Sequence, residues 1–287
     1  MNKNLLYCCL SFIAYCLLPS CNEVGPNISL RNNANSVSDT TYVESPVATP
    51  EIKNVVIEEF TGVRCPNCPQ GHQIIASIKS ANGSRVASVS LHPINSLGIH
   101  YSFSADTFQN QKAQDLFNYL EQIGFEPVAA IDRIPSSGNS VLWDKGVWAN
   151  KVTAQLAQTT PVNILLSGTY DSTTRELTIV AEMHYTANVA EKNKLTVLLT
   201  ESDIQSAQLD GSVIDTFYTH KDVQRAFVSD IQGDVLDAPL DAGRVFVKVY
   251  KTTLANKWKP QNMHILAYVH EYENSKLVYQ VKELEVQ

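Results

Sequence analysis

Past its first few residues the chain is almost free of cysteine. Of the six cysteines in 287 residues, four are Cys8, Cys9, Cys16 and Cys21, and only Cys65 and Cys68 stand further on. A framework of stapling disulfides is therefore excluded for the body of the chain. Charge of one sign is also never concentrated. No basic run exceeds two residues and the net charge is −7, so the basic face of a nucleic-acid binder is missing and no nucleic-acid partner is expected. No nucleophile elbow, glycine-rich phosphate loop or paired-carboxylate motif occurs. A c-type haem would need histidine directly after Cys68, where Pro69 stands. No cofactor is expected.

What is present is a globular composition, with 44% apolar and 18% charged residues. Lys3 followed by the apolar stretch Leu5 to Leu18 reads as a signal peptide over residues 1–20, too short for a comfortable membrane span. It ends in Leu18-Pro19-Ser20-Cys21, which resembles a bacterial lipobox. That resemblance implies that Cys21 becomes the acylated first residue and ties the protein to a lipid bilayer. Residues 21–51 are rich in Asn, Ser, Thr and Pro and read as a flexible tether. Export would bring the chain into an oxidising compartment, with Cys65 and Cys68 as its only thiols. Three residues apart, they form either a redox pair or a metal clamp. A loop that small adds little chain-entropy stabilisation as a staple.

Residues 52–159 alternate in type. Asn54 to Phe60, Arg85 to Leu91 and Val128 to Ile131 read as strands. Pro69 to Ala81, residues 104–122 and Trp143 to Gln158 read as helices. Residues 160–287 change character, with six apolar alternating segments and little helix, the pattern of an antiparallel β-sandwich of Ig-like type. Asp203 to Asp241 fits this poorly and reads as a long connection with a turn of helix. The expected class is α+β, an α/β domain followed by a β-sandwich, with the boundary near Thr160.

The chemistry concentrates in Glu59-Phe60-Thr61-Gly62-Val63-Arg64-Cys65-Pro66-Asn67-Cys68. A strand ends and Cys65 lands where a helix begins, where free N–H groups and the helix dipole favour thiolate. Cys68, one turn on, can resolve a mixed disulfide. Here the sequence resembles thioredoxin-like proteins, which carry an acidic residue six positions before the first cysteine, followed by Phe, and a cis-proline opposite the pair. The resemblance implies that Glu59 is the buried carboxylate assisting the resolving cysteine and that Pro127 is the cis-proline. Glu58 and Glu59 point to opposite sheet faces, so one of them is expected to face inward. Glu126, before Pro127, departs from the usual small or β-branched residue and would put a carboxylate near the sulfurs.

The layout of lipobox, tether, thioredoxin-like domain and β-rich domain resembles the Omp28-related outer membrane lipoproteins of Bacteroidota. It implies a lipoprotein of the outer membrane that acts on, or binds, other envelope proteins. Two functions stay open: thiol–disulfide exchange by Cys65 and Cys68, or a non-catalytic binding lipoprotein with a closed disulfide. Cys65, Cys68 and His72 also form a C-x2-C-x3-H pattern, but it lacks a fourth metal ligand, and no metal is expected. His72 reads as a polar residue of the first helical turns. Tyr218-Thr219-His220-Lys221 falls in the irregular stretch as a candidate binding surface.

Overall fold

The computed structural model describes residues 27–29, 36–104 and 106–287. The expected signal peptide (1–20) and the expected acylation at Cys21 lie outside the described residues. In chain order the strands and α-helices are β1 (Asn27–Ser29), β2 (Ser36–Val43), β3 (Val55–Phe60), α1 (Cys68–Asn82), β4 (Val86–Leu91), α2 (Gln111–Tyr119), β5 (Val128–Ile131), β6 (Leu142–Asp144) and α3 (Trp148–Leu156). There follow β7 (Val162–Asp171), β8 (Glu176–Tyr185), β9 (Asn193–Glu201), β10 (Ile204–Gln205), β11 (Gln208–Asp210), β12 (Val213–Asp215), β13 (Thr219–His220), β14 (Val223–Phe227), β15 (Asp234–Val235), β16 (Arg244–Thr253), β17 (Met263–Glu271) and β18 (Val278–Glu285).

Two large sheets hold the molecule. The first has the order β1-β2-β16-β8-β7, and the second runs β18-β17-β9-β14-β4-β3-β5-β6 with β15 beside β9. Within the second, β3 is parallel to β4 and antiparallel to β5. Helices α1 and α3 cover one face through Ile75, Ile78, Trp148 and Val152, packed on Val55, Ile57, Ala129 and Ile131. Helix α2 covers the other face with Leu116 and Phe117 against Val56, Phe60 and Val89. Cover on both faces buries β3 along its whole length, which is why Val55-Val56-Ile57 is a continuous apolar run and not an alternation. In the second half, Leu177, Ile179, Ala181 and Met183 of β8 pack across to Val197, Leu199, Ile265 and Ala267 of the other sheet. That is the core of an antiparallel β-sandwich. The class is thus α+β, a thioredoxin-like unit followed by a sandwich.

Three expectations need correction. Ser36–Val43 lies inside the expected tether but is a strand, paired with β16 from Arg244↔Val43 to Tyr250↔Ser36. Lys248 Nζ sits 2.6 Å from Asp39 Oδ2 across that pair. The sheet uses mainly the backbone of this segment, and Tyr42 and Val43 stay exposed, so no apolar periodicity marks it. Asp203 to Asp241 contains six short strands, β10 to β15, and no helical turn among its described residues.

The boundary near residue 160 falls between α3 and β7, yet the two halves share one sheet. Strand β14 runs parallel beside β4 at Val223↔Ser90. Arg133 donates to both oxygens of Glu58 at 2.7 Å, and Tyr268 of β17 donates to the same carboxylate at 2.8 Å. All three side chains are fully buried. The sandwich therefore supplies part of the thioredoxin-like unit's core.

Candidate active site

Cys65 and Cys68 form a disulfide, with Cα atoms 5.4 Å apart. Helix α1 starts at Cys68, not at Cys65. Cys65 sits in the preceding turn, closed by the Cys68 N–H donating to the Cys65 carbonyl at 3.3 Å. The approach to this turn is held from outside. The Arg64 N–H donates to Leu97 O at 2.7 Å, and Gly62 is needed because a Cβ there would meet that carbonyl at 2.4 Å.

Both cysteines are 0% exposed. The β11–β12 hairpin lies across the disulfide turn. Leu209 N–H donates to Val63 O at 2.8 Å, and Gly211 N–H to Pro66 O at 3.0 Å. Gln208 Nε2 donates to the carbonyls of Gly62 and Cys65, each at 3.2 Å. Only Pro66 and Asn67 of the motif reach solvent freely.

Pro127 follows a cis peptide bond from Glu126, as the thioredoxin resemblance implies. Glu59 is fully buried beneath α1. Gly71, one turn beyond Cys68, lets the layers close: a Cβ there would stand 2.8 Å from Glu59 Oε1 and 3.1 Å from Pro127 Cγ. Gly71→Ala is expected to destabilise the protein by about 1–3 kcal/mol, read as a lower urea midpoint; an unchanged midpoint would show that the three groups part freely. The expectation that one of Glu58 and Glu59 faces inward undercounts. They do point to opposite faces, but each face is covered, so both are buried. Glu58 has a permanent cation in Arg133, and Glu59 has none.

That difference sets their chemistry. Burial pushes the Glu59 pKa well above the usual carboxylate range; a weak 3.4 Å bond from Ser90 Oγ opposes this, and the Asp222 and Glu126 carboxylates add to it. Burial therefore favours the protonated form of Glu59. Burial also raises the Glu126 pKa, against a 2.6 Å hydrogen bond from Asn95 Nδ2. This weakens the expected charge conflict between Glu126 and a Cys65 thiolate.

His72 is turned inward. Its Nε2 lies 3.1 Å from Thr61 Oγ1 and 3.7 Å from Glu59 Oε2, and its Nδ1 lies 2.8 Å from the Tyr218 hydroxyl. Burial lowers its pKa to about 4, so it is neutral at pH 7. Beyond it, His220 packs on Tyr218 and Phe108 with ring centroids 4.9 and 4.8 Å away, and His92 packs on Phe108 at 5.1 Å. Thus the Tyr218–Lys221 segment closes over the site. The sequence marks this segment as a candidate binding surface but not its place beside the cysteines, while the i, i+4 spacing of Cys68 and His72 puts them on one helix face.

Residues 113–287 match the family model of the outer membrane protein Omp28. Among solved structures, HBP35 of Porphyromonas gingivalis aligns with a TM-score of 0.64 at 20% identity, over 82% of this chain and 75% of that one; the likeness is one of fold. A domain of the outer membrane lipoprotein Omp28 from Porphyromonas gingivalis aligns with a TM-score of 0.32 at 18% identity, over 45% of this chain and 89% of that one. An Agrobacterium tumefaciens protein aligns with a TM-score of 0.49 at 13% identity, over 83% of this chain and 97% of that one. No curated protein matches the sequence significantly.

Proposed function

Because the chain belongs to the Omp28 outer membrane protein family, we propose that it is a cell-envelope lipoprotein that exchanges disulfides with other envelope proteins. The observation that carries this reading is a fully buried Glu59 packed with Gly71 and Pro127 beneath helix α1, which starts at Cys68. A structural disulfide has no use for an acid in that place. The protein's disulfide takes two electrons and two protons from a polypeptide dithiol, which leaves as a disulfide. A substrate thiolate attacks Cys65, the Cys65–Cys68 bond breaks, and Cys68 leaves with a proton from Glu59. The second substrate thiolate then releases Cys65.

A competing reading is a binding lipoprotein whose disulfide stays closed, and the burial of both cysteines favours it. Oxidation of a reduced model peptide by the purified protein, together with a redox titration of the pair, separates the two. Exchange with a potential above about −300 mV supports turnover; no exchange and a potential well below that value establishes the closed disulfide and defeats the proposal.

A further inference from the structure

A cavity of about 330 Å³ opens beside the site, between α1, β4 and the segment 218–222. Glu59, His72 and Tyr218 all line it, as do Lys79, Lys221 and Asp222. The two oxygens of Glu59 face different places. Oε1 lies under α1 at Gly71 and accepts no hydrogen bond among the described residues, while Oε2 faces Ser90 and His72. His72 stands between Oε2 and the half-buried Tyr218 hydroxyl: its Nδ1 is hydrogen-bonded to Tyr218 at 2.8 Å, while its Nε2 is 3.7 Å from Oε2, a gap that must close by about half an ångström for a proton to pass.

We propose that His72 and Tyr218 form a proton relay that recharges Glu59 from solvent each time the disulfide opens; this rests on the exchange reading above. When Cys68 leaves and takes the Glu59 proton, a bare carboxylate is stranded in the interior, near Asp222 and Glu126. Burying such a charge is costly. His72 passes its Nε2 proton to Glu59 Oε2, its Nδ1 takes the Tyr218 proton, and Tyr218 takes one from solvent at the cavity. One proton enters and one reaches Cys68, so the relay ends as it began apart from the imidazole tautomer. A neutral imidazole suits this task, since it moves a proton without carrying a net charge. Tyr218 keeps its proton because burial, with Glu59, Asp210 and Asp215 nearby, raises its pKa to about 12. Thr61 holds the ring at Nε2. The groups facing the relay are Lys79 from α1, Ser88 and Ser90 from β4, His220, Lys221 and Asp222 from the covering segment, and Glu126 before Pro127. The relay also gives the second half of the chain a place in the chemistry, since Tyr218 comes from the segment between β12 and β13.

The test is the rate at which dithiothreitol reduces Cys65–Cys68, measured from pH 6 to 9 on the full protein. His72→Ala is expected to be about tenfold slower at pH 7, less than the loss from removing a direct proton donor. Added imidazole, entering the cavity, should restore the rate. Tyr218→Phe, a change at a half-buried side chain that leaves the fold intact, should be slower in the same direction. In a Glu59→Gln background neither change should matter. Wild-type rates and pH profiles in both variants, or a slow His72→Ala that imidazole leaves slow, overturn the relay. A wild-type protein that exchanges with no dithiol at all overturns the exchange reading and the relay together, so the two failures are distinguishable.

Discussion

Glu58→Gln is expected to destabilise the protein by about 3–5 kcal/mol, because it leaves Arg133 charged and unpaired in the core. Arg133 is fully buried, and its Nη1 already has no hydrogen-bond partner among the described residues. Burial alone would lower its pKa, but the Glu58 carboxylate overrides this and holds it above its usual value. The neutral amide keeps the shape and removes that compensation. Urea unfolding reads the loss directly. Replacing both partners, Glu58→Leu with Arg133→Met, should cost much less, since a buried pair is expensive to break but not to replace by apolar side chains. A single substitution costing under about 1 kcal/mol would mean that water reaches Arg133.

Shortening the β11–β12 hairpin by replacing residues 208–214 with a brief glycine linker is expected to speed reduction of the disulfide about a hundredfold. The hairpin holds the motif by backbone bonds from Leu209 and Gly211 and by the Gln208 side chain. At about 1 kcal/mol for each of these three attachments, the closed position is favoured by about 3 kcal/mol, and 1.4 kcal/mol is a factor of ten. Dithiothreitol reduction followed by thiol labelling measures it. An unchanged rate would place the barrier elsewhere, in the disulfide turn itself. Val213 and Ile214 of this hairpin, and Phe217 just after it, are exposed.

Much of the site was legible because it is local. Strand, turn and helix lie within 30 residues; Cys65 and Cys68 are marked by their spacing, and Glu59 and Pro127 by the thioredoxin resemblance. The α1 boundaries follow from ordinary periodicity and fall within a residue of Pro69 to Ala81, whereas the stretches expected as helix over 104–122 and Trp143 to Gln158 hold only Gln111–Tyr119 and, after strand β6, Trp148–Leu156. What was not legible is non-local or short. Tyr218 meets His72 across 146 positions of sequence, and it stands between strands of two and three residues, too brief to show a period. The single register point Val223↔Ser90 that joins the two halves of the chain in one sheet has no sequence signature. Ser36–Val43 was hidden for another reason: its pairing is mainly backbone to backbone, so its polar composition imitates a linker. Glu58 was hidden by its neighbour, because two adjacent acids suggest one wet face, and only a sheet covered on both sides buries both.

The buried cluster of Glu58, Arg133 and Tyr268 has a consequence for the order in which the protein comes into being. Synthesis runs from the N-terminus, so Glu58 and Arg133 exist well before Tyr268 is added. Until β17 arrives, the ion pair lacks its third member, and Leu266, Tyr268, Val278 and Val281 are not there to complete the core behind α2. The first half therefore lacks part of its core until β17 and β18 are present, unlike a domain whose core is complete within its own residues. A chain cut short before β17 would leave the core behind α2 without Leu266, Tyr268, Val278 and Val281.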